Sequence, residues 1–151
     1  MIRSFVACIS LTLLLSGLVL PQTTRAPRVV LNTEIQRMIR EVSPRRIEAD
    51  IRKLVSFGTR NTLSEQDNPT RGIGAARDWI FAEFQKMNDA CGGCLTVEKQ
   101  AFVQPKANRI PEPTTLTNVV ATLKGSSDPD RIYVVSGHYD SMCTSPTDAK
   151  C

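Results

Sequence analysis

"ACGGCLTVEKQAFVQP" (residues 90–105) is where the chain changes its apolar period. Upstream, apolar residues recur at intervals of three and four. Inside the stretch, Leu95, Val97, Ala101 and Val103 alternate with Thr96, Glu98, Gln100 and Phe102. The first spacing puts side chains on one face of a helix, the second on one face of a strand. The switch predicts helices before Cys94 and strands after it.

Toward the N-terminus, residues 72–88 predict a helix with Ile73, Ala76, Ile80, Phe84 and Met87 on its packing face and Trp79 beside it. "GTRNTLSEQDNPTR" (58–71) is polar and turn-rich, hence a loop. Ser43-Pro44 opens another helix, with serine as N-cap and proline in the first turn. Its stripe is Ile47, Ile51, Leu54 and Val55, and Gly58 is its stop. "TEIQRMIREV" (33–42) predicts the first helix, capped by Thr33 with Gln36, with Leu31, Ile35, Met38, Ile39 and Val42 as its stripe.

Toward the C-terminus, "QPKANRIPEP" (104–113) is a proline-bearing loop and "LTNVVATLKG" (116–125) a second strand. "SSDPD" (126–130) is a turn. "RIYVVSG" (131–137) predicts a third strand, apolar on both faces and so central in its sheet. The short link between the last two strands permits a hairpin and excludes a crossover helix. The expected fold class is α/β, with N-terminal helices followed by part of a mixed β-sheet.

The 151 residues suggest a single domain, and 41% apolar with 23% charged residues is near the composition of soluble globular proteins. Net charge is +4, with no Lys/Arg run and 5% aromatics, which argues against a nucleic-acid surface. The start has a signal-peptide layout: Arg3, an apolar run from Phe5 to Leu20, Pro21, then small residues at Thr24 and Ala26. The run is short for a membrane span. The expected organisation is a signal peptide over 1–26, a linker and first helix over 27–43, and the remainder over 44–151. An exported (periplasmic or secreted) chain without a stable span after signal cleavage follows.

Export favours disulfides. Outside Cys8 stand Cys91, Cys94, Cys143 and Cys151, which allow three pairings. The local one, Cys91–Cys94 with Cys143–Cys151, closes the shortest loops.

The chain's one histidine ends the predicted third strand in "IYVVSGHYDS" (132–141). His138 and Asp140 stand at i and i+2, so an extended backbone projects them to one side. One ring nitrogen can bind a metal while a carboxylate on the other fixes tautomer and aim. Strand ends are the usual ligand sites of open α/β sheets. On spacing alone, a hydrogen-bonded structural histidine is the commoner outcome.

"NVVATLKG" (118–125), a polar turn and "RIYVVSGHYDS" (131–141) together resemble the start of the catalytic domain of the M28 family of zinc peptidases. "LVSFGTRNTLS" (54–64) followed by "GIGAARDWIFAEF" (72–84) resembles the helical lead-in of its secreted members. The resemblance covers residues 44–151. It implies an α/β sandwich whose site holds two zinc ions, acting on peptide or protein substrates in the manner of an aminopeptidase. It implies that His138 is a zinc ligand and that Asp140 orients it without being a ligand. The family's bridging aspartate, glutamate pair, later aspartate and late histidine have no matching motif here, and Asp148 lacks the setting of the bridging aspartate. The expectation is therefore the N-terminal portion of a peptidase catalytic domain, inactive by itself and with no catalytic residue of its own.

Other readings are a non-catalytic secreted α/β fragment and a glutaminyl cyclotransferase of the same fold. An M20-like amidohydrolase fits the lead-in less well. "CGGC" follows a helix and precedes a strand, the reverse of a redox site at a helix N-terminus. A zinc knuckle lacks its second close cysteine pair.

Overall fold

The computed structural model describes residues 32–142 and 144–150. The chain divides into two compact units, Met1–Val42 and Ser43–Cys151. In the first, α1 spans Thr33–Glu41. Its N-cap is Asn32, whose Oδ1 accepts the Glu34 N–H at 2.8 Å. The sequence pointed to Thr33 with Gln36; the cap lies one residue earlier. The short asparagine amide reaches the exposed N–H from just outside the helix, so Thr33 becomes the first helical residue.

The second unit holds α2 (Pro44–Ser56), α3 (Gly72–Ala90), β1 (Leu95–Gln104) and β2 (Thr114–Leu123). Ser43 caps α2, its Oγ accepting the Arg46 N–H at 3.4 Å, with Pro44 in the first turn. Gly58, at φ 71°, ends the helix by donating its N–H to Val55 O at 3.0 Å. A left-handed residue there is what glycine supplies without strain. β1 and β2 pair antiparallel, in register from Leu95↔Leu123 to Gln104↔Thr114. Among the described residues the fold is thus α/β: three helices, then a two-stranded antiparallel sheet.

The expected third strand is absent: residues 131–140 carry no regular secondary structure and do not join the sheet. Ile132, Tyr133, Val134 and Val135 are 81–97% exposed. A strand apolar on both faces needs a hydrogen-bonded neighbour and a cover on each face, and the described residues supply neither.

The core is small. Phe57, Ile73, Ala75 and Ala76 are buried, and Leu54, Trp79 and Tyr139 pack against the cluster of Phe57, Ala75 and Ala76. The Phe57 and Trp79 rings stand 6.3 Å apart at 52°, a tilted geometry that aromatic pairs favour. Of the α2 stripe only Leu54 reaches the core, while Ile47, Ile51 and Val55 stay at least half exposed. Lys99 on β1 reaches back to α3, its Nζ 2.6 Å from Asp78 Oδ1 and 4.7 Å from the Phe81 ring centre.

Between α2 and α3 the loop 59–71 folds onto the start of α3. Asn61 turns it by accepting the Leu63 N–H on Oδ1 and the Ser64 N–H on its carbonyl. Ser64 Oγ donates to Asn61 O and accepts the Ile73 N–H. Phe57 O and Glu65 O accept the Gly72 and Gly74 N–H groups. The free donors of the α3 N-terminus are satisfied by the loop and by the C-cap residue of α2. Gly72 (φ 81°) and Gly74 lie against the backbone of Glu65 and Gln66, too close for any side chain.

Candidate metal centre

The segment 137–142 leaves the exposed run and passes beneath this loop. In it His138 and Asp140 pair with each other while Tyr139 reaches the core. His138 Nδ1 and Asp140 Oδ1 stand 3.0 Å apart. Tyr139 packs on the core and donates its hydroxyl to Thr117 O at 2.5 Å. Burial of the phenol pushes its pKa above the ordinary 10.0, because the charged form is the one desolvation penalises. Tyr139 is therefore the anchor and the His138–Asp140 pair the presented group.

The presentation is open. The His138 side chain is 95% exposed and that of Asp140 45%. Both line a hollow of about 300 Å³ together with Phe102, Leu116 and Asn118. With Nδ1–H donating to Asp140, Nε2 carries the lone pair available to a metal.

Arg60 holds this segment in place. Its Nε donates to Tyr139 O at 2.8 Å and its Nη1 to Leu54 O at 2.7 Å. Its main chain pairs with Ser141: the Arg60 N–H donates to Ser141 Oγ, and the Ser141 N–H to Arg60 O, both at 2.9 Å. Asn61 Nδ2 donates to Pro146 O at 3.0 Å. Sequence reasoning placed Arg60, Asn61 and Ser64 in a polar loop and gave them no role. Hydrogen bonds spanning some eighty positions leave no local pattern.

Cys91 and Cys94 form a disulfide, with Cα atoms 5.6 Å apart. Gly92 and Gly93 bridge it at φ 72° and 87°, values that glycine adopts freely. Cys91 is the C-cap of α3 and β1 begins at Leu95, so the bond sits at the helix-to-strand turn. Cys143 and Cys151 lie outside the described residues.

Zinc sites of the catalytic kind take three protein ligands. Here His138 suits one such ligand, already paired to a carboxylate. Among the described residues no cluster of three or more His, Cys, Asp or Glu could hold a metal ion. No helix among them is long and apolar enough to cross a membrane.

Against known proteins the chain finds relatives in fungi. It is 55% identical over 115 residues to a probable zinc metalloprotease of Leptosphaeria maculans, covering 76% of this chain and 27% of that protein. A probable zinc metalloprotease of Pyricularia oryzae matches at 55% over 113 residues, 75% of this chain and 22% of its own length. One from Phaeosphaeria nodorum matches at 55% over 117 residues, 76% and 24%. The chain thus spans about a quarter of the length of the curated relatives it matches. No family model matches the chain, and no solved structure does.

Proposed function

We propose that this chain is the N-terminal part of an exported zinc peptidase of the M28 type, aminopeptidase-like, in which His138 is a zinc ligand and Asp140 orients it. The observation that carries the reading is the His138–Asp140 contact, in a chain whose relatives are named probable zinc metalloproteases at 55% identity. Bound zinc, two ions in the complete enzyme, polarises a peptide carbonyl and lowers the pKa of a water. The residues here do the preparatory work. Asp140 accepts from Nδ1 and leaves Nε2 free to ligate. Tyr139 anchors the segment to Thr117 and the core. The hollow beside His138 gives a peptide room to approach. Residues 1–26 act as the signal peptide, and Cys143 pairs with Cys151.

One ligand and its orienting carboxylate do not make a hydrolytic centre, so the 151 residues alone bind zinc weakly and turn over no substrate. The test is zinc titration by calorimetry with aminoacyl-nitroanilide hydrolysis, on this chain and on the full-length protein, each with His138→Ala. The expected result is chelator-sensitive turnover in the full-length protein only, lost in His138→Ala. Unchanged turnover in the full-length His138→Ala protein would remove His138 from the metal site.

A further inference from the structure

We propose that Arg60 is a positioning residue for the His138–Asp140 pair; this rests on His138 being a zinc ligand. His138 has no contact among the described residues that fixes its ring apart from Asp140, and it is 95% exposed. The aim of both side chains is therefore set by the backbone that carries them. That backbone is gripped on both sides of Asp140 by one residue. Arg60 Nε takes the carbonyl of Tyr139, and the Arg60 main chain takes both the N–H and the hydroxyl of Ser141.

The other end of the grip is rigid. Arg60 Nη1 donates to Leu54 O, in the last turn of α2. Carbonyls in the last turn of a helix favour a cation, and Leu54 O takes the guanidinium beside the Phe57 N–H, which it accepts at 3.3 Å. The guanidinium thus bridges two carbonyls, one on a helix end and one between the proposed ligand and its orienting carboxylate. A planar fork of fixed donors suits that bridge. A lysine ammonium on a flexible stem keeps the charge but not the fork. Small displacements matter because ligand geometry must be held to within about 0.5 Å.

The test uses the full-length protein with Arg60→Lys, Arg60→Met, Ser141→Ala and His138→Ala. Arg52→Met, an exposed α2 arginine paired with Glu48, serves as control. Four quantities are read: Zn²⁺ affinity by competition with a chromophoric chelator, the visible spectrum of the Co²⁺-loaded protein, the melting temperature, and kcat and KM separately. Both Arg60 variants should lose roughly tenfold or more in Zn²⁺ affinity, the size seen when an outer partner of a metal ligand is removed. Their Co²⁺ bands should shift and kcat fall more than KM rises, with lysine no better than methionine. Ser141→Ala should move the same way by less, and Arg52→Met should match the wild type.

A purely structural arginine would lower the melting temperature and leave the Co²⁺ spectrum and Zn²⁺ affinity of the folded protein unchanged. That result, or full rescue by lysine, overturns the proposal. If His138→Ala abolishes metal binding while Arg60→Lys keeps it, only the role of Arg60 falls. If His138→Ala keeps both metal affinity and turnover, the zinc reading falls and this inference with it. Should Arg60→Met fail to fold, Arg60→Lys and Ser141→Ala decide alone.

Discussion

The loop 59–71 and the run 131–137 are both irregular, and they invert what composition suggests. The loop is polar, yet Thr59, Asn61 and Ser64 are at most 8% exposed. The run is apolar, yet Val135 is 97% exposed. The difference lies in partners. Each buried polar side chain of the loop is hydrogen-bonded, and no buried side-chain nitrogen or oxygen among the described residues lacks a partner. Polar groups that keep their hydrogen bonds can be buried at little cost. An apolar strand gains nothing until a ladder and a cover are present. Burial in this molecule follows the availability of partners, not the polarity of the residue.

The contrast breaks most sharply at Gly74. In an open helix, Gly→Ala stabilises by about 1 kcal/mol through propensity. At Gly74 the added methyl would overlap the Gln66 carbonyl. Backbone cannot swing aside as a side-chain tip can. Gly74→Ala should therefore reverse the sign and destabilise by about 3 kcal/mol, as overpacking in close contact does. Val135→Ser, in the exposed run, should stay within about 0.5 kcal/mol. Urea unfolding of the two variants checks this. A neutral Gly74→Ala would mean the loop does not lie against α3.

A smaller effect is expected at Ser64. Its hydroxyl accepts the Ile73 N–H at 2.9 Å and donates to Asn61 O at 2.6 Å. Ser64→Ala leaves the donor at the start of α3 buried and unsatisfied, at a cost of about 1–3 kcal/mol. Hydrogen exchange at the Ile73 amide should accelerate by more than the global loss of stability explains. Equal protection in the variant would show that another acceptor takes over.

Which parts were legible follows the same division. α2, α3, β1 and β2 were readable to within two residues because apolar period, Ser43-Pro44 and Gly58 are local signals. The segment 131–137 read as a strand because its residue types suit one; pairing depends on neighbours that its own letters do not encode. At the site, the i, i+2 spacing made the His138–Asp140 contact readable. Arg60 was not readable, because its acceptors at Tyr139 and Ser141 lie 79 and 81 positions away. Nor was the Asn32 cap separable from Thr33 and Gln36, since both asparagine and threonine are good N-cap residues.

The smallest expected effect is electrostatic and tests the seam between α3 and β1. Asp78 receives Arg77 Nε and Nη2 at 2.9 Å each and Lys99 Nζ at 2.6 Å. The Arg77 hydrogen bonds, with help from Lys99, hold its carboxyl down to about 2 from an ordinary 3.8. A depressed acid stabilises the fold while it is ionised in both states, and that contribution fades as pH falls from the unfolded value toward the folded one. The window is therefore pH 3.8 down to about 2. Asp78 is half exposed, so solvent screening leaves no more than about 1 kcal/mol. Asp78→Asn should be less stable than the wild type by that amount at neutral pH. The gap should close through this window and shrink in about 1 M salt, where the screening length is near 3 Å. A gap that persists unchanged below the window would show that Asp78 joins α3 to β1 by packing and not by charge.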